Sequence, residues 1–210
     1  MNMRSVQSAR VQLLAIAVEM FAERGLSQTS LRAIAKRAQV SPALLVHHFS
    51  SKERLIDECI AQTLGRWVAE ESAVMREDEA SRIDSWRALM AKGKTQLRFF
   101  CQVLISGGAY AQRLFDAAVR ESETLLEQMH TEGRLRDIGD RKVVAVLLAT
   151  SGLGSTLLMS HIENNLGGAL DSRDVAERLF EANNELMGKG ILVSREDKET
   201  KGKGRERTRR

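Results

Sequence analysis

The chain has 210 residues, of which 43% are hydrophobic, 29% charged and 4% aromatic, with a single proline and a net charge of +4. That apolar content suffices for a packed core and excludes a disordered or collagen-like chain, while so few aromatics and prolines argue against a sandwich of strands and turns. The charge is uneven: residues 1–60 carry 8 basic and 5 acidic side chains, residues 61–188 carry 15 and 19, and residues 189–210 carry 9 and 4. A basic head on an acidic body points to a polyanion partner for the head, nucleic acid first.

The elements read as helices throughout. Leu14, Ala17, Val18 and Phe21 recur at i, i+3, i+4, i+7, which predicts a first amphipathic helix over residues 6–24 with Gly25 as its stop. Gln12 and Glu19 interrupt this stretch, so it does not read as a signal peptide. Thr29 or Ser30 caps a second helix with Leu31, Ile34, Ala35 and Ala38 on its apolar face, ending near Gln39. Ser41 followed by Pro42 is a capping hydroxyl before a proline in the first turn, and starts a short third helix to about His48. Its Leu45 and Phe49 point back toward Ile34 and Phe21, and two helices joined by a tight turn make a helix-turn-helix.

Ser50 or Ser51 caps a long fourth helix to about Met75, bearing Leu55, Ile56, Cys59 and Ile60 on one side. Cys59 and Cys101 are too few for a disulfide framework and read as small buried hydrophobes in a reducing cytoplasm. After a charged break at residues 77–81, helical pattern returns around residues 86–90 and 96–104, then as a long helix from Ala109 to about Met129. Residues 141–162 are hydrophobic nearly all round, which predicts one helix buried on several sides, by its own domain and by a second subunit. Its longest apolar run, residues 143–149, is far short of the roughly 20 residues that cross a bilayer, so no membrane partner is expected. Asp171 opens a last amphipathic helix carrying Val175, Leu179, Phe180, Leu186 and Met187, and residues 195–210 hold no apolar side chain and read as a solvated basic tail.

The stretch GLSQTSLRAIAKRAQVSPALLVHHFSSKERLI, residues 25–56, resembles the N-terminal domain of TetR-family transcriptional regulators. The resemblance extends over about residues 10–60. Its marks are Phe21 and Gly25, Thr29, the Ile34–Ala35 pair, Val40–Ser41, His48–Phe49, and Lys52 followed by Leu55. It implies an all-α dimer divided into a helix-turn-helix DNA-binding domain (1–50) and an effector-binding and dimerisation domain (51–190), to which composition adds a disordered basic tail (191–210). Such a protein binds a near-palindromic double-stranded DNA operator, usually represses, and releases DNA when a small ligand binds. The sequence departs from the family pattern at Gln39, where glycine is usual, at Val46, where a phosphate-touching tyrosine is usual, and at Leu44, where threonine is common.

Helix geometry and the resemblance together assign Pro42, Ala43, Leu44 and His47 to the major groove, the first three against thymine methyls and His47 as the base-edge hydrogen bonder, with DNA shape adding specificity. Thr29, Ser30, Ser41, His48 and Lys52 are assigned to the DNA as well, chiefly to phosphates at helix N-termini. Thr29 and Ser41 can cap and touch phosphate together, and the other reading of His48 is a histidine packed under helix one. Arg4 and Arg10 read as solvated charge on an arm, with phosphate or minor-groove contact as the alternative. By the resemblance, Trp67, Trp86, Met90, Phe99, Phe100, Leu104, Tyr110 and Leu114, with Cys101, fall in the helices around an effector cavity, and their character suits an apolar or aromatic molecule. Residues 141–162 and 171–188 would pair with their symmetry mates as a homodimeric four-helix bundle, intrachain core being the alternative. The chain lacks a nucleophile elbow, a phosphate-binding loop, a zinc-binding H-E-x-x-H and a dinucleotide fingerprint, so neither catalysis nor a cofactor nor a metal is expected. A competing class is a helical protein-interaction module whose basic head binds nucleic acid without sequence preference; only a regulator leaves a symmetric footprint.

Overall fold

The computed structural model describes residues 3–135 and 137–186, without the side chains of residues 3–8, 79, 80 and 184. Among the described residues there are ten helices and no strand: α1 Met3–Arg24, α2 Leu31–Arg37, α3 Pro42–Phe49, α4 Lys52–Met75, α5 Glu79–Lys92, α6 Lys94–Ser106, α7 Gly108–Thr131, α8 Arg141–Leu157, α9 Met159–Leu166 and α10 Arg173–Asn184. No single one of them is long and apolar enough to cross a membrane. Met187 and the basic tail lie outside the described residues.

Local chemistry sets most of the starts. The side-chain oxygens of Ser30, Ser41, Ser51 and Asp78 each accept the backbone N–H three residues on, at 3.0–3.2 Å, and Asp140 accepts those of Lys142 and Val143. Gly25 ends α1 at φ +81, a conformation that favours glycine, and a Cβ there would also press on the Gln102 side-chain oxygen at 3.0 Å. Gly93 separates α5 from α6 and leaves room for Trp67, whose ring a Cβ at that position would strike.

One continuous core joins the head to the body. Phe21, Ile34, Leu45 and Phe49 from α1 to α3 are buried in the same cluster as Leu55, Ile56 and Cys59 of α4, Phe99, Phe100 and Val103 of α6, Leu114 of α7 and Ala145 of α8. The broadest packing pairs are α7 with α8 and α1 with α6. Both cysteines are free; burial pushes the Cys59 and Cys101 thiols up, which keeps them un-ionised.

The structure corrects the single helix expected over residues 141–162. The chain bends by 75° at Leu158, between α8 and α9. Gly152 and Gly154 weaken the end of α8, and the bend lets Met159 pack on a second cluster of Val74, Leu89, Met90 and Leu97. Nor is α8 covered on all sides. Ala145, Ala149 and Leu153 face the core, while Val143, Leu147, Leu157 and Leu158 are 45–62% exposed on the other side and nothing lies within 4 Å of where Gly152 or Gly154 would carry a Cβ.

Candidate nucleic-acid interface

From Arg24 to Lys52 the sequence contains five Lys or Arg and no acidic residue. This acid-free segment folds into α2, the turn, α3 and the start of α4, so the fold gathers positive charge around one short helix. α3 is held from beneath by Leu45 and Phe49, both buried, and shows Pro42, Ala43, Val46 and His47 to solvent. Leu44 is half-buried, so its side chain is less available to a groove than the sequence suggested.

The turn before α3 depends on Gln39. The Gln39 N–H reaches the Lys36 carbonyl at 3.2 Å and the Val40 N–H reaches the Ala35 carbonyl at 3.0 Å, the paired bonds of a Schellman ending, which places Gln39 at φ +56. A glycine is the usual occupant, and Gln39 takes the left-handed conformation regardless. At the far end of α3, Ser50 has φ +62 and ψ −46, and the Ser51 N–H closes on the Phe49 carbonyl at 2.7 Å. This tight γ-turn swings the chain directly into α4, putting Lys52 in its first turn.

Two expectations need correction. Thr29 is fully buried, and its hydroxyl donates to the carbonyls of Gly25 at 2.9 Å and Met20 at 3.3 Å. Its hydroxyl is turned inward onto backbone carbonyls, so it neither caps α2 nor reaches a phosphate; the exposed Ser30 next to it caps. Arg10 is not on a loose arm. It lies within α1, ion-paired with Glu58 of α4, and its guanidinium stands 5.1 Å from the centroid of the Phe49 ring. Arg4 lies in the first turns of α1, and its side chain is among those not described. The residues chosen for an effector cavity divide between two clusters. Phe99, Phe100 and Leu114, flanked by Leu104 and Tyr110, belong to the main core, whereas Met90 and Trp86 belong to the second, and Trp67 touches both.

The remaining DNA-side residues stand as follows. His47 is exposed and His48 half-buried, their rings 5.8 Å apart, with His48 6.1 Å from Phe49. Ser41 is exposed while capping α3, and Lys52 is half-buried. Arg32 and Lys36 of α2 are exposed, and Arg37 is 3.6 Å from both Glu19 and Glu23. Val46, which the sequence marks only as the loss of a tyrosine, is 45% exposed on the face of α3, one turn after Ala43.

The Trp86 indole N–H, at the second cluster, and the side-chain oxygen of Gln96, which precedes Leu97 of that cluster, are buried without a protein partner, and Trp86 meets Phe180 of α10 edge-on at 5.6 Å. Glu71 follows Trp67 by one turn of α4, and burial pushes its carboxyl up. An open groove of 690 Å³ lies elsewhere, between α7 and α8, lined by Glu123, Glu127, Arg141 and Lys142 among others and by none of the expected effector residues.

A short, capped helix presented outward from an acid-free basic segment, braced by two helices and fused to a larger helical body, defines a helix-turn-helix DNA-binding protein. Residues 13–59 match the family model for bacterial regulatory proteins of the tetR family, and residues 93–193 match that for the tetracyclin repressor-like C-terminal domain. The chain is 31% identical over 205 residues to the HTH-type transcriptional regulatory protein RaaS of Mycobacterium tuberculosis, covering 92% of each. It is 34% identical over 125 residues to the HTH-type transcriptional repressor KstR2 of Rhodococcus jostii, covering 60% of this chain and 59% of that one. Its fold is similar to that of FadR from Bacillus subtilis, solved in complex with stearoyl-CoA, with a TM-score of 0.61 at 17% identity over 87% of this chain and 99% of that one. The chain belongs to the TetR family, and is a DNA-binding transcriptional regulator.

Proposed function

We propose that the protein works as a homodimer that binds a near-palindromic operator, represses from it, and lets go when a small apolar or aromatic ligand enters residues 51–190. The observation that carries the DNA side is the outward face of α3, since Pro42, Ala43, Val46 and His47 are exposed while the helix is anchored by Leu45 and Phe49. On this reading residues 1–50 form the DNA-binding head. Ser30, Ser41, His48 and Lys52 hold phosphates, and Pro42, Ala43 and His47 enter the major groove, with Leu44 at its edge.

The homodimer is supported by the uncovered side of α8. Val143 and Leu147 stand one turn apart on one stripe of α8, with Gly154 on the same side, where a second backbone could approach, and Leu158 exposed at the bend beyond. The apolar ligand is supported by the second cluster, where Trp67, Trp86 and Met90 meet, and by the acyl-CoA in the B. subtilis FadR complex. Repression is the role printed for the KstR2 relative.

The test is selection of bound fragments from random DNA, followed by footprinting and a screen of small molecules for release. A symmetric protected site, a dimer by sedimentation at micromolar concentration, and release by an apolar compound are expected. Salt-sensitive binding with no footprint, or a monomer, overturns the reading. Leu147→Glu is expected to give monomers that no longer footprint.

A further inference from the structure

We propose that Val46 is a specificity-determining residue that reads the 5-methyl group of thymine in the major groove. The proposal rests on the reading of α3 as the DNA-contacting helix and goes beyond it by naming the chemical group recognised.

At 100° per residue, Ala43 points along the middle of the exposed face of α3, with Val46 on one flank, His47 on the other and Pro42 at the edge. That face holds no Arg, Lys, Asn or Gln, the side chains that pair two bonds at a time with guanine or adenine. Hydrogen-bonded readout is therefore confined to His47. The rest of the surface offers carbon, and the one base-edge group in the major groove that carbon recognises is the thymine methyl.

Val46 is the one branched aliphatic side chain exposed there. It is 45% exposed and belongs to neither hydrophobic cluster, so it contributes little to the packing of its own protein. Its neighbours Leu45 and Phe49 already fill the space beneath α3. A β-branched side chain in a helix is also nearly fixed at χ1, so little rotamer freedom is lost when it meets a methyl. Arg32, Lys36 and Lys52 supply attraction to phosphate, which is the same for every sequence, and so leave the choice of base to α3.

The test uses the full chain and the operator selected from random DNA. Each thymine of a half-site is replaced in turn by deoxyuridine, which removes the methyl and leaves base pairing intact. Burying one methyl carbon corresponds to about a fourfold change in affinity. Wild type is expected to lose about fourfold at one thymine per half-site, and about fifteenfold when both half-sites are changed. Val46→Ala is expected to bind the thymine and uracil duplexes equally at that position, with unchanged helicity and an unchanged salt slope, because the side chain is exposed. Indifference of the wild type to uracil everywhere in the half-site overturns the proposal, as does a sensitivity that survives in Val46→Ala or disappears only in Ala43→Gly. A footprint with no uracil effect defeats this proposal alone, whereas absence of any protected site defeats the regulator reading and this one with it.

Discussion

Gln39→Gly is expected to stabilise the protein. Gln39 sits at φ +56 with its side chain exposed, in a turn whose two hydrogen bonds hold it there. A left-handed conformation costs a residue with a Cβ about 1–2 kcal/mol, because Cβ crowds the following carbonyl. Glycine removes that strain but brings about 0.5–1 kcal/mol of extra chain freedom to the unfolded state. The difference is a gain of about 0.5–1 kcal/mol per protomer. Urea unfolding at one fixed protein concentration measures it, since an associating chain has concentration-dependent stability; the midpoint should rise with no change in slope. For a chain of this size the melting temperature should rise by about 1–4 °C. Gln39→Asn should gain less, and Gln39→Val should lose stability, because a β-branched residue tolerates this conformation worst. A glycine variant no more stable than wild type, or a valine variant equal to it, refutes the reasoning.

Thr29→Val deletes the hydroxyl that serves the Met20 and Gly25 carbonyls and should cost about 1–3 kcal/mol in urea unfolding, while the salt slope of DNA binding stays as in wild type. Lys52→Ala should instead leave stability near wild type and reduce the slope of log affinity against log salt by about 0.9 for each protomer engaged; an unchanged slope removes Lys52 from the phosphate contacts. Phe99→Ala empties a fully buried position stacked at 6.2 Å on Phe21 and should cost about 3–5 kcal/mol, with head and body still melting in one transition by circular dichroism and calorimetry. The Arg87 guanidinium, with Arg173 beyond it, holds the Asp84 carboxyl below its usual range, and the Lys94 ammonium does the same for Asp171. A carboxylate depressed in the folded state contributes stability that is present above its unfolded value and lost as the pH falls through the folded one. Hydrogen exchange in α10 should therefore rise below about pH 4, before that in α1.

The head was legible because its signals are local. Ser41 and Pro42 are adjacent, the apolar spacing of Leu14 to Phe21 lies within one helix, and the glycine usual in the family at the position of Gln39 marks a left-handed residue in the turn. Where two neighbouring residues carry the same chemistry, locality fails. Thr29 and Ser30 are both hydroxyl side chains at the start of α2, and what separates them is the carbonyl of Met20, nine residues back, which receives the Thr29 hydroxyl. Arg10 needed Glu58, far along the sequence, to be seen as fixed. The bend at Leu158 was hidden by an unbroken apolar pattern, because periodicity records that Met159 packs against something but not that α9 must turn to reach it. The effector residues were recognised as large and apolar, yet composition cannot assign Phe99 to one cluster and Met90 to another.

The same core that makes the head stable denies it independence. α6 lies against α1 through the Phe21–Phe99 stack and the contact of Gln102 with Gly25, and against α8, where the Cys101 thiol donates to the Thr156 carbonyl at 3.2 Å. α1 in turn carries α2 and α3 through Ile34, Leu45 and Phe49, all buried in that cluster. Interiors packed this tightly transmit a displacement because they have no slack to absorb it. A shift of α6 relative to α8 is therefore expected to reach α1 and, through it, α3. Truncating Phe99 leaves a cavity at this junction, so it should weaken that transmission as well as the fold.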